Sequence, residues 1–157
     1  MLKSLNHDDS WAEVRSGGRV IRYRRGGAGS GATVLVLLSD AGSPRDELLE
    51  SLRGHFRSLV PELSPTEPNV ATWLTQFLEG LGAATVSVVA SGSFCIPALE
   101  LALRGGDQIV RVVLIADGRC GEEASECALH GASRSGPMPL YIVNHDASPQ
   151  EVVRLLR

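Results

Sequence analysis

Short runs of apolar residues recur along the chain and predict the strands of a sheet. Four of these runs are apolar at consecutive positions, which is typical of parallel strands covered by helices on both faces. They span residues 33–38, 86–91, 110–117 and 139–146, and a further short strand is predicted at 56–63. The run at 33–38 is expected to form the middle of the sheet.

Apolar residues at helical spacing lie between these runs. The clearest such stretch ends at Gly82, and its apolar face consists of Val70, Trp73, Leu74, Phe77, Leu78 and Leu81. Asn69 directly precedes this stretch and is predicted to be its N-cap. Helical segments also follow the later strands, with the last at residues 150–157. Alternating strands and helices indicate a parallel sheet with right-handed crossovers.

A helix is also predicted shortly after the strand at 33–38. Ser43 would be its N-cap and Pro44 its first residue, and the acidic residues that follow favour the positive end of a helix dipole. The residues expected to face the sheet are Leu48, Leu49 and Leu52.

The segment before the first buried run has the alternation of a β-hairpin. Val20 alternates with Arg22 after a Ser16-Gly17-Gly18 turn, which is typical of two antiparallel strands with a tight connection. The predicted fold class is therefore α/β. An N-terminal antiparallel hairpin precedes a mostly parallel sheet with helices on both faces, in three layers. The whole chain, 1–157, is expected to form a single domain.

Composition and charge narrow the classes of partner. The chain has 15 basic and 18 acidic residues, and its longest basic cluster is Arg22, Arg24 and Arg25, so no nucleic-acid partner is expected. No apolar run approaches the roughly 20 residues of a membrane span, and the N-terminus lacks the apolar core of a signal peptide. Three cysteines without framework spacing fit a reducing compartment. We therefore expect a cytoplasmic protein with no membrane contact.

Two patterns could indicate a cofactor or a metal site, but neither has the required spacing or position. The glycine-rich segment at 26–31 leads into a strand, whereas a phosphate-binding loop must open a helix. Cys120, Cys127 and His130 have C-x6-C-x2-H spacing, unlike the short spacing of structural zinc sites. The sequence therefore predicts neither a cofactor nor a metal.

Candidate chemistry lies just after the strands, because ligands bind outside the carboxyl ends of strands in an open parallel sheet. The positions to inspect are Ser39-Asp40, Ser91 to Cys95, Asp117, and His145-Asp146. At Ser91-Gly92-Ser93-Phe94-Cys95 a buried strand passes through small residues directly into a helix. A nucleophile elbow requires that layout, with Ser93 central. Close packing of a helix on a sheet also requires small residues there, and the aspartates could instead cap helices.

With a nucleophile-elbow pattern at this position, the chain resembles the α/β-hydrolase family over nearly its whole length. The family's opening hairpin and first central strand are similar to RVIRYRRGGAGSGATVLVLL, and its central helix, strand, elbow and helix are similar to TWLTQFLEGLGAATVSVVASGSFCIPALELAL. The segment PLYIVNHDASP resembles the strand and turn where many members carry the triad acid. The resemblance is to a lidless, C-terminally truncated, thioesterase- or esterase-like member.

The resemblance implies roles for individual residues. Ser93 would be the nucleophile, and the backbone N–H of Phe94 one oxyanion donor. The second donor would come from the loop at Asp40-Ala41. Asp146 is one candidate for the acid, and Asp117, where polyketide-type thioesterases carry theirs, is the other. Ser91 would line the pocket, and the substrate would be a small acyl compound.

Three departures from the family pattern bear on activity. The loop after the first central strand begins Ser39-Asp40 where the family usually has His-Gly, which places a carboxylate where an oxyanion should be stabilised. Ser91 and Cys95 replace the glycines that usually flank the elbow. The family's catalytic histidine follows one further strand, but eleven residues follow Asp146 here. His145 is then the candidate base.

Two functional hypotheses follow. The first is a serine ester or thioester hydrolase with Ser93 as nucleophile, whose base is His145 or comes from another subunit. The second is a catalytically degenerate scaffold that binds a ligand or partner, or guides a non-hydrolytic reaction such as a cyclisation by shape. A nucleotide- or flavin-binding domain would require a glycine-rich turn after a strand, which is lacking.

The segments after Asp117 add two structural expectations. Only one short helical segment, at 121–131, lies where many relatives insert a lid, so the site is expected to be open. The strand at 139–146 would leave an apolar edge, which predicts a homodimer through that edge.

Overall fold

The predicted strands form one seven-stranded mixed sheet. The computed structural model describes residues 10–27, 32–38, 43–63, 68–104, 108–116, 139–144 and 147–157. Its strands are β1 (Ser10–Ser16), β2 (Arg19–Gly27), β3 (Thr33–Leu37), β4 (Arg57–Pro61), β5 (Val86–Ser91), β6 (Ile109–Ala116) and β7 (Leu140–Asn144). Its helices are α1 (Ser43–Arg53), α2 (Val70–Leu81), α3 (Cys95–Arg104) and α4 (Pro149–Leu156), and a 3₁₀ turn (Gly92–Phe94) precedes α3.

The order of the strands confirms the predicted arrangement. It is β1-β2-β4-β3-β5-β6-β7, so β3 lies at the centre as expected. The pairs β1–β2 and β2–β4 are antiparallel, and every later pair is parallel. The result is an antiparallel hairpin attached to a parallel sheet.

The hairpin turn has the geometry that its glycines allow. Gly17 and Gly18 have φ of 60° and 78°, and Ser16 pairs with Arg19 across the two-residue loop. Positive φ at both central positions is the turn whose twist matches that of the flanking strands, and glycine adopts it without steric cost. The predicted hairpin is therefore confirmed.

Helices cover both faces of the sheet, which confirms the three layers. On one face, α2 and α3 pack over a core that includes Tyr23, Leu35 and Phe77. On the other, α1 and α4 pack over a core that includes Val34 and Val36. The alternation of Val34, Leu35 and Val36 between the two cores explains why β3 is apolar at consecutive positions.

The amphipathic helix α2 has the predicted bounds but begins differently. Gly82 ends it with φ 67°, and its N–H bonds to Glu79 O and Leu78 O, as glycine at this position commonly does. Asn69 occupies the N-cap position but has φ 62° and makes no side-chain cap. Asparagine tolerates the left-handed region. Asn69 therefore starts α2 through its backbone, whose carbonyl accepts from Trp73 N at 3.0 Å, and not through a side-chain cap.

Other element ends differ slightly from the expectation. Ser43 is the first residue of α1 rather than its N-cap, and β6 and β7 end at Ala116 and Asn144. Leu48, Leu49 and Leu52 are buried against the sheet as predicted. Within the described ranges, no helix has the length and apolar content that crossing a membrane requires. The expected homodimer through β7 and the cytoplasmic location stay predictions.

Candidate active site

The turn after β5 carries the strongest site candidate. Residues 86–90 of β5 are buried, and Ser91 is extended with φ −137° and ψ 156°. Gly92 then has φ 56°, and Cys95 has helical dihedral angles and starts α3. Since a residue without Cβ enters the left-handed region without steric cost, Gly92 reverses the chain from strand to helix within one 3₁₀ turn.

Ser93 is exposed on this turn, whereas its neighbours are covered. Ser91 is half-buried, and Phe94 is buried in the core beneath α2 and α3. The exposed hydroxyl therefore lies at the carboxyl end of β5, between β3 and β6 in the sheet. Ligands bind at this end of a parallel sheet.

The residue of the turn with positive φ is Gly92 rather than Ser93. Among the described residues, Asn69 is the only non-glycine with positive φ. A nucleophile elbow is expected to hold its central residue under backbone strain. Here that conformation comes one residue earlier, at a position without a side chain. Ser93 is thus presented from the first turn leading into α3.

Cys95 explains why the position two residues after Ser93 must be small. Its side chain is fully buried, and its Sγ lies 3.8 Å from Ala90 O and 3.6 Å from Ile115 O. These carbonyls belong to the ends of β5 and β6, so α3 closely approaches both strands here. A thiol fits, whereas a larger side chain would displace the helix. Cys95 is therefore one of the small residues that close packing of a helix on a sheet requires at this turn.

The other predicted site residues follow strands that are neighbours in the sheet. Leu37 of β3 pairs with Ala90, Ser91 pairs with Ile115, and Ala116 of β6 pairs with Asn144. The strands that precede these positions therefore run parallel and end side by side with β5. Asp40, Ala41, Asp117, His145 and Asp146 themselves lie outside the described residues, so their roles remain predictions.

His55 is at the opposite end of the sheet from Ser93. It lies between α1 and the start of β4, and its Nδ1 is 2.8 Å from Nη2 of Arg157. Because a guanidinium can only donate, Nδ1 of His55 is the acceptor in this contact. The ring lines a cavity of about 320 Å³ between α1 and α4. Sequence reasoning missed this cavity because no motif marks it.

Metal-binding side chains do not cluster in the described ranges. No group of three or more His, Cys, Asp or Glu side chains there is placed to hold an ion. Cys120, Cys127 and His130 lie outside the described residues. The chemistry that the described turn offers is that of an exposed hydroxyl near the start of a helix.

Comparisons with known proteins identify the fold but no sequence family. Neither a protein-family model nor a curated protein matches the sequence. Among solved structures, carboxylesterase CesB from Bacillus subtilis matches with a TM-score of 0.60 and 14% identity, over 71% of this chain and 43% of that chain. Haloalkane dehalogenase DbeA from Bradyrhizobium elkani matches with a TM-score of 0.57 and 18% identity, over 69% and 42%.

A third neighbour has another activity on the same fold. Epoxide hydrolase A from Mycobacterium thermoresistibile matches with a TM-score of 0.55 and 13% identity, over 68% of this chain and 38% of that chain. These neighbours are α/β-hydrolase-fold enzymes, so the chain has the α/β-hydrolase fold. The aligned part is less than half the length of each of the three neighbours.

Proposed function

We propose that this chain, on its α/β-hydrolase fold, hydrolyses a small ester or thioester with Ser93 as the nucleophile. The observation that carries the proposal is the position of Ser93. It is exposed directly after the left-handed Gly92, at the carboxyl end of a central parallel strand. A carboxylesterase is among the structural neighbours, which is compatible with this class of substrate.

In the proposed reaction, Ser93 Oγ attacks the acyl carbonyl carbon and gives its proton to a base. The tetrahedral oxyanion collapses to an acyl-serine, and the alcohol or thiol leaves with that proton. Water, deprotonated by the same base, then attacks the acyl-serine and releases the acid. We assign the base to His145 and its orienting acid to Asp117 or Asp146. The Phe94 N–H and the loop at Asp40-Ala41 would bind the oxyanion.

A second candidate function is ligand binding without hydrolysis. One observation favours it: the positive φ of the turn falls on Gly92 rather than on Ser93. A serine hydroxyl that lacks a positioned base is a weak nucleophile at neutral pH. In this alternative, Ser93 donates a hydrogen bond to an acyl carbonyl, and the scaffold serves binding, a partner enzyme or a shape-guided cyclisation.

The first prediction separates these functions. A fluorophosphonate probe should label Ser93 in the wild-type protein, and Ser93→Ala should lose both the label and turnover of short-chain p-nitrophenyl esters. His145→Ala should lower kcat by roughly 10²-fold or more, as removal of a general base does. Peptide mapping of the adduct identifies the labelled residue.

Ser10→Ala is the matched control, since Ser10 is also exposed and its hydroxyl accepts a hydrogen bond from Arg25 Nε at 3.4 Å. It should retain labelling and turnover. A wild-type protein that takes no label, or a Ser93→Ala variant that keeps it, would rule out Ser93 as the nucleophile. Binding of an unreactive acyl amide without turnover would then support the second candidate.

A further inference from the structure

The cavity between α1 and α4 has the size of a small-ligand site. Its volume is about 320 Å³, at the lower end of the range in which proteins bind small molecules. Side chains of both helices and of the residues that follow them line it: Glu50, Ser51, Gly54 and His55 on the α1 side, and Gln150, Val153, Arg154 and Arg157 on the α4 side. The α4 residues recur at three- and four-residue spacing, so they share one face. We call this space the α1–α4 cavity.

The α1–α4 cavity has opposite charges on its two walls. Glu50 lies on the α1 side, and Arg154 and Arg157 lie on the α4 side. Arg154 contacts Glu151 of its own helix at 3.8 Å, so the charges of that pair balance without a ligand. Neither Glu50 nor Arg157 forms an ion pair among the described residues. One unpaired anion and one unpaired cation therefore line the same cavity.

Arg157 is held in position by a partner that is not a carboxylate. Its Nη2 donates to Nδ1 of His55 at 2.8 Å, which is the one side-chain hydrogen bond of Arg157 in the described part of the chain. A guanidinium has further N–H donors in the same rigid plane, and a carboxylate can accept two parallel hydrogen bonds from them. Because this side chain is already oriented, a ligand loses less free energy in ordering it.

The space beside Gly54 is open, and the cavity has an apolar contact as well as charged ones. Apart from its chain neighbours, a Cβ at Gly54 would meet Ser51 O at 3.5 Å and Glu50 O at 3.9 Å, and no described atom of α4 within 4 Å. Val153 lines the cavity, is 5% exposed and belongs to the core under α1 and α4. An occupant therefore has an apolar contact at Val153 and a charged group on each wall.

The charges on the two walls select the class of ligand. A simple anion would share the cavity with the Glu50 carboxylate, and a simple cation would share it with two guanidinium groups, so each would meet a like charge. We propose that the α1–α4 cavity binds a free α-amino acid with an aliphatic side chain. Its carboxylate would pair with Arg157, its ammonium group with Glu50, and its side chain would contact Val153. This proposal is independent of the reaction at Ser93, which lies at the opposite end of the sheet.

The test compares L-leucine with two analogues that each lack one charge. Isocaproate has no ammonium group, and isoamylamine has no carboxylate. Binding is followed by NMR, through the amide shifts of Ser51, Gly54 and Val153. We expect saturable shifts with L-leucine and affinities lower by up to roughly fivefold for each analogue, the range of exposed ion pairs. Equal binding of isocaproate would show a site for anions alone and overturn the proposal, and so would the absence of shifts with L-leucine.

Variants locate the site. Each of Glu50→Gln and Arg157→Gln should lower the affinity for L-leucine by up to roughly fivefold. Glu47→Gln is the matched control, because Glu47 is exposed on the same helix but does not line the cavity, and it should bind as the wild type does. Gly54→Leu should abolish binding by filling the space, and since φ of Gly54 lies outside the left-handed region, the variant should fold, as circular dichroism will show. Binding that survives in folded Gly54→Leu would overturn the proposal.

Discussion

The two faces of the sheet differ in how much apolar surface they bury. Among the described residues, the core under α2 and α3 contains 22 buried residues, whereas the core under α1 and α4 contains 11. The larger core extends from Val14 and Ile21 of the hairpin to Leu114 of β6. The smaller core contains no residue of the hairpin. The hairpin is therefore held from one side.

This difference bears on how firmly the turn at Ser93 is held. Phe94 and Cys95 belong to the larger core, so the turn that presents Ser93 is fixed where packing is most extensive. A site on well-packed elements keeps the geometry that catalysis or binding requires. The outer side of the hairpin, which carries the exposed Trp11, has no residue in the smaller core among the described residues.

The largest effect is expected from Phe77→Ala, which tests how strongly the larger core holds the hairpin. Phe77 is fully buried, and its ring contacts Tyr23 of β2 edge-on at 5.2 Å between centroids. Removing a buried aromatic ring leaves a cavity and should lower the free energy of unfolding by about 3–5 kcal/mol. Urea denaturation followed by circular dichroism measures this loss.

Trp11→Ala provides the contrast for Phe77→Ala, because it removes an aromatic ring from the open side of the same hairpin. Its effect on stability should be less than about 1 kcal/mol, the usual range for an exposed position. Equal losses for the two variants would mean that α2 does not hold the hairpin.

A smaller effect is expected from Leu52→Ala, the corresponding change in the smaller core. Leu52 of α1 is fully buried in the smaller core, so the loss should fall within the range of about 2–5 kcal/mol for such truncations. Leu99→Ala is the same substitution in the larger core, where Leu99 is 1% exposed. We expect Leu99→Ala to cost more, because a site surrounded by more buried neighbours collapses less. The reverse order in urea denaturation would contradict the comparison.

The sequence predicted most of the strands because their apolar pattern is local. The runs at β3 and β5 and the face of α2 needed only periodicity, and Gly17-Gly18 and Gly82 marked a turn and a helix end by the conformations that glycine permits. The junction at Ser93 was also readable, since small residues between a buried strand and a helix permit few geometries. The sequence did not predict which residue of that turn has the positive φ.

Features that depend on strand register were not readable from the sequence. The arginines of β2 form a short cluster along the chain, which argued against a polyanionic partner. Pairing with β1 brings Arg22 and Arg24 over Trp11, at 4.3 Å and 5.6 Å from the ring centre, and adds Arg15 to the same face. Cation–π contacts of this kind join residues distant in sequence. Only the register shows them.

The smallest effect is expected at Asn69, where the start of α2 differs from that of α4. Ser148 caps α4 by accepting a hydrogen bond from Glu151 N at 3.2 Å, whereas Asn69 contributes a left-handed backbone with φ 62° and no side-chain cap. Asn69→Gly should leave the free energy of unfolding within about 0.5 kcal/mol of wild type, because glycine adopts this conformation freely. Asn69→Ala should cost about 1 kcal/mol, since Cβ disfavours the left-handed region.

Ser148→Ala and Ser148→Gly are the matching pair of variants at the start of α4, the helix that packs on the smaller core. Because the Ser148 side chain caps α4, alanine there should lower the free energy of unfolding by about 1 kcal/mol, and glycine by a few tenths. The informative quantity at Asn69 is therefore the size of the change in the free energy of unfolding when glycine replaces asparagine. A loss of about 1 kcal/mol for Asn69→Gly in urea denaturation would show that its carboxamide, and not its backbone, starts α2.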